Sequence, residues 1–204
     1  MRRLFLAAAA ATALISTPAL TRAEATIVVV GDSLSSGYGL AAEQSWVAML
    51  DERLRTQGYE YEVVNASIAG DTSAGGLARL PKLIETYAPA WVIIELGGND
   101  GLRGLPVQTL RDNLARMIEL AQAHGAMVLL AGIRLPPNYG SAYTTALANV
   151  YAELAERYDV PLVPFLLEGV ALDPSLMQAD GIHPNAAGQP RMLENVWSVL
   201  EGLL

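Results

Sequence analysis

Cysteine is absent from this sequence of 204 residues, and histidine occurs only twice, at His124 and His183. Without cysteine the chain has no disulfide, no thiolate zinc site and no cysteine nucleophile. Two histidines are also too few for a metal site of three imidazoles. The chemistry must therefore come from hydroxyls, carboxylates, amides and at most two imidazoles, and we expect neither a metal nor a cofactor.

Positive charge is scarce as well, because 13 Lys and Arg residues stand against 21 Asp and Glu residues, a formal net charge of −8 at pH 7. A nucleic-acid partner would need a clustered basic face, so the composition argues against one. A hydrophobic content of 52% indicates a globular chain, and its length suits one well-filled domain. No long exposed apolar stripe is evident, and we therefore expect a monomer.

The longest apolar run lies at the N-terminus and is too short for a comfortable membrane span, which needs about 20 residues. It covers residues 4–15, follows two arginines and is interrupted only by Thr12. Small and turn-prone residues come next, as in a secretory signal peptide. We predict a signal peptide over residues 1–23, with cleavage after Ala23 or, alternatively, after Ala19. The mature protein is then periplasmic or secreted without stable membrane insertion; a retained N-terminal anchor is the competing interpretation.

The remaining residues, 24–204, alternate short β-branched runs with amphipathic stretches and contain no linker that would separate domains. This alternation predicts one three-layer α/β/α domain with a parallel, flavodoxin-like sheet of about five strands. The predicted strands cover residues 26–30, 61–64, 91–96, 127–131 and 161–163. The predicted helices cover residues 44–57, 72–87, 106–124, 141–158 and 186–203.

Glycines and small polar residues follow the predicted strands, and in an open parallel sheet the ligand site lies outside those carboxyl ends. Ser33 follows the first strand, and His183 is the only histidine that is not at the end of a predicted helix. A serine nucleophile needs such a base, and Asp180 is close enough in sequence to orient the imidazole. The Ser33 and Gly70 backbone N–H groups and the Asn99 side-chain amide are candidate oxyanion donors. Together these residues predict acyl-transfer chemistry.

Four sequence blocks resemble those of the GDSL-type, or SGNH, hydrolases. They are Gly31-Asp32-Ser33-Leu34, Gly70, Gly97-Gly98-Asn99-Asp100 and Asp180-Gly181-Ile182-His183-Pro184. Each block alone is a weak signal, but four in order and correctly spaced are a strong one. The match is closest to the bacterial thioesterase I/protease I/lysophospholipase subgroup and covers nearly all of residues 24–204.

The resemblance implies the SGNH hydrolase fold, a catalytic Ser33-His183-Asp180 triad and an oxyanion hole of Ser33, Gly70 and Asn99. It also implies thioesterase, arylesterase and lysophospholipase activities on small-molecule acyl substrates. Two loops mix glycine, leucine, proline and tyrosine, and we expect them to line the acyl groove. The substrate-binding residues predicted on these loops are Gly101, Leu102, Leu105, Leu135, Pro136 and Tyr139.

Simpler interpretations exist for each block. Asp32 and Ser33 are ordinary helix-capping residues, and residues 99–101 form a good turn sequence. His124 precedes a glycine at a predicted helix end, where a histidine favours the helix dipole, so we expect it to be structural. A carbohydrate O-deacetylase with the same machinery and a non-catalytic flavodoxin-like binding protein are the alternative functions. The binding protein would have no need for the serine, histidine and aspartate together.

Overall fold

The computed structural model describes residues 25–204, so the predicted signal peptide lies outside the described residues. Five parallel strands form one sheet in the order β2-β1-β3-β4-β5, which confirms the predicted flavodoxin-like sheet. Every predicted strand is present, with ends that shift by no more than one residue. The strands are β1 (Ala25–Gly31), β2 (Tyr61–Asn65), β3 (Trp91–Glu95), β4 (Met127–Ala131) and β5 (Leu162–Val163).

Seven α-helices occur among residues 25–204, together with short 3-10 turns. Five of the helices correspond to the predicted ones: α2 (Trp46–Gln57), α3 (Ser73–Tyr87), α5 (Val107–Ala123), α6 (Ser141–Tyr158) and α7 (Gln189–Leu200). Two are one-turn helices that follow strands directly, α1 (Ser33–Ser36) and α4 (Gly98–Leu102). The second of these contains residues 99–101, whose simpler interpretation from the sequence was a turn. No helix within the described part of the chain is both long and apolar enough to cross a membrane.

Side-chain hydrogen bonds decide where several helices begin. Ser45 Oγ accepts from Ala48 N, and Thr72 Oγ1 accepts from Gly75 N, so α2 and α3 start one residue after these caps. The last helix was predicted from residue 186 but begins at Gln189. Asn185 Oδ1 accepts from Ala187 N and forms a separate turn before the helix, because a short Asn side chain competes with the backbone for local donors.

The two faces of the sheet pack against different helices. Along β1, Ile27 and Val29 contribute to the core formed with α2 and α7, whereas Val28 and Val30 contribute to the core formed with α3, α5 and α6. Successive side chains of a strand point to opposite faces, so a central strand covered on both sides is apolar throughout. The sheet is therefore a rigid platform whose carboxyl-end loops are held from both sides.

Gly132, just after β4, offers a test of this packing. A Cβ at this position would lie 2.5 Å from the Pro164 carbonyl oxygen, which is backbone and cannot rotate away. We expect Gly132→Ala to lower the free energy of unfolding by about 1–3 kcal/mol, measured by denaturant unfolding. Gly202→Ala is the matched control, since a Cβ there meets nothing within 4 Å, and its effect should stay within about 0.5 kcal/mol. Equal stability of the two variants would contradict this account of the sheet edge.

Candidate active site

Four loops meet at the carboxyl edge of the sheet. β1 leads into α1 with Ser33 at its first position, β3 leads through Gly97 into α4 with Asn99, and Gly70 follows β2. The pairing of Gly31 with Glu95 between β1 and β3 makes the first two loops leave the sheet at the same level. The long segment after β5 returns to this edge and carries His183.

Ser33, His183 and Asp180 form a continuous chain of contacts, although Ser33 and His183 are 150 positions apart. His183 Nε2 lies 2.9 Å from Ser33 Oγ, and Nδ1 lies 2.7 Å from Asp180 Oδ2. The hydrogen bond from the imidazole is the largest of several interactions that lower the pKa of Asp180, to about 2. Since this carboxylate stays ionised, it favours the proton on Nδ1 and leaves Nε2 as the acceptor for the serine proton.

The loop that carries His183 is held by hydrogen bonds between backbone N–H groups and the Asp180 side chain, and by one contact between aromatic rings. Asp180 Oδ1 accepts from the backbone N–H groups of Ile182 and His183, at 2.9 and 3.0 Å. The Tyr38 ring packs against the imidazole with 4.6 Å between ring centroids. Gln178 Nε2 donates to the Tyr38 carbonyl at 2.9 Å, which connects the nucleophile side of the site to the histidine side. The imidazole is therefore oriented from both of its nitrogens and from one face.

Of the predicted oxyanion donors, Ser33 and Asn99 line the cleft described below, whereas Gly70 lies on the loop after β2 and is not part of the cleft wall. Among the described residues, the backbone N–H groups of Ser33 and Gly70 have no internal acceptor, and both are thus available to a ligand. Gly70 has a φ of +80°, a left-handed conformation that glycine adopts without strain. Asn99 donates one amide hydrogen to Asp32 Oδ2 at 3.0 Å, which orients the amide and leaves its second hydrogen for a ligand.

Asp32 orients the Asn99 amide and caps α1, the helix that begins with Ser33. It is only 2% exposed, and its Oδ1 accepts from the Leu34 N–H at 3.0 Å, which caps α1. Burial raises the pKa of Asp32 to about 6, in spite of the opposing hydrogen bonds from Leu34 and Asn99. Both of its carboxyl oxygens already accept hydrogen bonds, Oδ1 from Leu34 N–H and Oδ2 from the Asn99 amide. We therefore interpret it as an orienting group and not as a base.

A cleft of about 470 Å³ opens beside Ser33 and His183. Of the six predicted substrate-binding residues, the structure brings Leu102, Leu135 and Pro136 onto its wall. The other three do not line it. Gly101 is buried, and a Cβ there would lie 2.6 Å from the Leu135 side chain. The carbonyl of Leu105 accepts a hydrogen bond from the Tyr143 hydroxyl. Tyr139 is exposed on a 3-10 turn.

Sequence reasoning missed a large part of the cleft wall, which comes from the segment after β5. Leu172 is 99% exposed there, an unusual state for a leucine, and Ile182 directly precedes the histidine. These two apolar residues were the available signals. The apolar wall residues of this segment that were not predicted are Phe165, Leu167, Ala171, Leu172, Met177 and Ile182, and Ile133 after β4 was not predicted either.

Arg79 and His124 both have structural roles outside the cleft. Arg79 is partly buried, where Nε donates to Asp71 Oδ2 at 2.8 Å and Nη2 donates to the Gly31 carbonyl at 3.2 Å. It also donates to the Ala66 carbonyl, so it fastens the loop after β2 to the end of β1. His124 lies at the end of α5, as expected for a structural histidine, with Nδ1 2.8 Å from the Leu120 carbonyl.

Known proteins of similar sequence share this arrangement of elements. The pattern of the GDSL-like lipase/acylhydrolase family matches residues 29–191. "Esterase TesA" of Pseudomonas aeruginosa is 55% identical over 204 residues, which cover 100% of both chains. "Thioesterase 1/protease 1/lysophospholipase L1" of Escherichia coli is 48% identical over 165 residues, 81% of this chain and 78% of that one. A crystal structure of the psychrotrophic esterase EstA from Pseudoalteromonas sp., inhibited by monoethylphosphonate, has a TM-score of 0.84 and 38% identity, and covers 87% of this chain and 97% of that one.

The raised pKa of Asp32 predicts how stability depends on pH. The folded protein holds the Asp32 proton up to about pH 6, whereas the ordinary pKa is 3.8. The folded state thus binds more protons in this range, and the free energy of unfolding falls as the pH rises from 3.8 to about 6. We expect Asp32→Asn to reduce this slope in urea unfolding series. Asp173→Asn is the control. The pKa of Asp173 is lowered, so this residue changes the free energy of unfolding mainly below pH 3.8, and the slope above that pH should stay the same. An unchanged slope in Asp32→Asn would contradict the assignment.

Proposed function

Since this chain belongs to the GDSL-like lipase/acylhydrolase family, we propose that it hydrolyses acyl esters with Ser33 as nucleophile, His183 as general base and Asp180 as the carboxylate that orients the imidazole. Its family and its named relatives make it an enzyme that cleaves ester and thioester bonds. The non-catalytic alternative is therefore wrong. The observation that carries the residue assignment is the chain of 2.9 and 2.7 Å contacts from Ser33 through His183 to Asp180.

In the first step, Ser33 Oγ attacks the carbonyl carbon of the substrate while His183 Nε2 takes the hydroxyl proton. The imidazolium that forms is stabilised by Asp180, which remains ionised. The carbonyl oxygen becomes an oxyanion and accepts hydrogen bonds from the Ser33 N–H, the Gly70 N–H and the Asn99 amide. Donors aimed at this developing charge stabilise the transition state more than the ground state, which is the source of the rate acceleration.

Collapse of the tetrahedral intermediate expels the alcohol or thiol, which receives its proton from His183. The acyl group is then bound to Ser33 as an ester. Water attacks this acyl-enzyme while His183 Nε2 takes a proton, and the same donors hold the second oxyanion. Breakdown returns the proton to Ser33 Oγ and releases the carboxylic acid. Both steps use only groups of this chain and one water molecule.

The apolar cleft supports an acyl chain of medium to long length. Most of the residues on its wall are apolar, and they include Phe165 and Leu167. Burial of an apolar chain contributes about 25 cal/mol per Å² of area removed from water. Fatty acyl esters and thioesters, including lysophospholipids, fit this chemistry. A net charge of −8 would not attract an anionic thioester carrier by long-range steering.

Export and oligomeric state belong to the same proposal. The predicted signal peptide supports a mature protein of one domain, residues 24–204, in the periplasm or outside the cell. The lack of a long exposed apolar stripe in the sequence supports a monomer. A lysophospholipid or another acyl ester is then a more accessible substrate than a cytoplasmic thioester. Size-exclusion chromatography of the secreted protein and its N-terminal sequence address both points.

Hydrolysis of p-nitrophenyl esters from acetate to palmitate tests the proposed function. We expect activity that peaks at medium or long chains and that Ser33→Ala loses by a factor of about 10⁴ or more, since nucleophile and base act as a unit. An organophosphonate should label the wild type stoichiometrically and leave Ser33→Ala unlabelled. Unimpaired activity of that variant would overturn the mechanism. A preference confined to acetate would favour the O-deacetylase.

A bulky side chain in the cleft tests the acyl-binding wall. Ala171 lines the cleft, so Ala171→Trp should lower kcat/KM for decanoate and longer esters by about tenfold or more while that for acetate changes little. Ala152→Trp is the control, because Ala152 lies on an exposed part of α6 away from the cleft. An unchanged chain-length profile in Ala171→Trp would show that the acyl chain binds elsewhere.

A further inference from the structure

Glu95 closes β3, an otherwise apolar strand, and its side chain is 0% exposed. One carboxyl oxygen, Oε2, accepts from the Ser35 hydroxyl at 2.7 Å and from the Asp32 N–H at 3.2 Å. The other, Oε1, is buried and has no hydrogen-bond partner among residues 25–204. No step of the reaction described above uses this group. A buried carboxyl is nevertheless costly and calls for a physical role.

The two donors to Glu95 stand on either side of the nucleophile. Asp32 directly precedes Ser33, and Ser35 lies two positions after it on the first turn of α1. The same carboxyl oxygen thus fixes the backbone before Ser33 and the helical turn behind it. Gly31 belongs to the same arrangement, because a Cβ there would lie 2.7 Å from Glu95 Oε2 and 2.7 Å from Ser35 Cβ. The nucleophile turn is therefore packed directly onto the end of β3.

The charges around Glu95 are unfavourable to an anion. Asp32 and Tyr151 interact with Glu95, and Asp100 interacts with both of them. In this region Arg79 reaches only the carbonyl of the neighbouring Gly31. Arg79 is already engaged with Asp71 and with two backbone carbonyls, and it makes no ion pair with Glu95. Burial, followed by the charge of Asp32, raises the pKa of Glu95 well above its ordinary value.

We propose that Glu95, as a neutral carboxylic acid, is a positioning residue that holds the Ser33 turn through Asp32 N–H and the Ser35 hydroxyl. This inference rests on the proposed role of Ser33. A neutral acid keeps the acceptor that the turn requires without adding a second buried anion beside Asp32. Such an anion would oppose the oxyanion that develops nearby, and repulsion is strong where water is excluded. Glu95 itself reaches neither the cleft nor the substrate, since it is not among the residues that line the cleft.

Two substitutions separate the acceptor from the charge. Glu95→Gln keeps a carbonyl acceptor and is neutral, so we expect kcat within about threefold of wild type, with unchanged KM and pH profile. Glu95→Leu removes the acceptor. It should lower kcat and the rate of phosphonate labelling together by about 10- to 100-fold, with KM unchanged, because a small displacement of the nucleophile costs this much. Ser35→Ala, which loses one of the two donors, should fall between them and serves if Glu95→Leu does not fold.

Tyr151→Phe is the matched control. Its hydroxyl is buried and donates to the Leu96 carbonyl at 2.8 Å, next to Glu95 in the chain, but it does not contact the Ser33 turn. We expect a lower Tm in this variant and an unchanged labelling rate. Infrared spectra at pH 8, where Asp32 is ionised, should contain the carbonyl band of a protonated carboxylic acid that is missing in Glu95→Gln.

The outcomes that overturn the inference differ from those that overturn the proposed function. If the wild type is labelled at Ser33 and Glu95→Leu and Ser35→Ala are labelled as fast, Glu95 does not position the nucleophile. If Glu95→Gln loses as much activity as Glu95→Leu, or the infrared band is absent, Glu95 acts as an anion. A wild type that no phosphonate labels would instead remove the nucleophilic role of Ser33.

Discussion

The pairing of β1 with β3 is the constraint on which the site depends. Their register sets Gly31 opposite Glu95, so the turn with Ser33 and the turn with Asn99 leave the sheet side by side. Because both strands are covered by apolar side chains on both faces, neither can slide relative to the other without exposing its core residues. The distance between the nucleophile and one oxyanion donor is therefore a property of the sheet and not of flexible loops.

The same edge contains buried carboxyl groups in place of apolar side chains. Asp32, Glu95 and Asp100 are all buried, and each accepts hydrogen bonds from the turns that it supports. Arg79 pairs with Asp71 and otherwise donates to the carbonyl oxygens of Gly31 and Ala66, at the ends of β1 and β2. Such an arrangement costs folding free energy, because burial opposes the charged forms. The arrangement orients the turns relative to one another, because one carboxyl group can accept from donors on two turns, as Asp32 does from Leu34 and Asn99.

The long segment after β5 contributes both to the contacts of Ser33 and to the cleft wall. It brings His183 to Ser33, and its apolar side chains, among them Leu167 and Leu172, form much of the cleft wall. Contacts of Gln178 and Tyr38 join this segment to the turn that follows Ser33. The proposed base and much of the proposed acyl-binding surface therefore lie on the same segment of the chain.

Local sequence determined the strands, the five long helices and the Ser33, Gly70, Asn99, Asp180 and His183 positions, because period, caps and short blocks act over a few residues. Tertiary structure alone decided the rest. Leu105 and Tyr139 have the composition of a binding loop but lie off the cleft wall, whereas Phe165 and Ala171 are on it. The buried roles of Glu95 and Arg79 depend on partners many positions away. The residue type sets the chemistry of a side chain, but the packing of segments that are distant in the sequence determines which groups the side chain contacts.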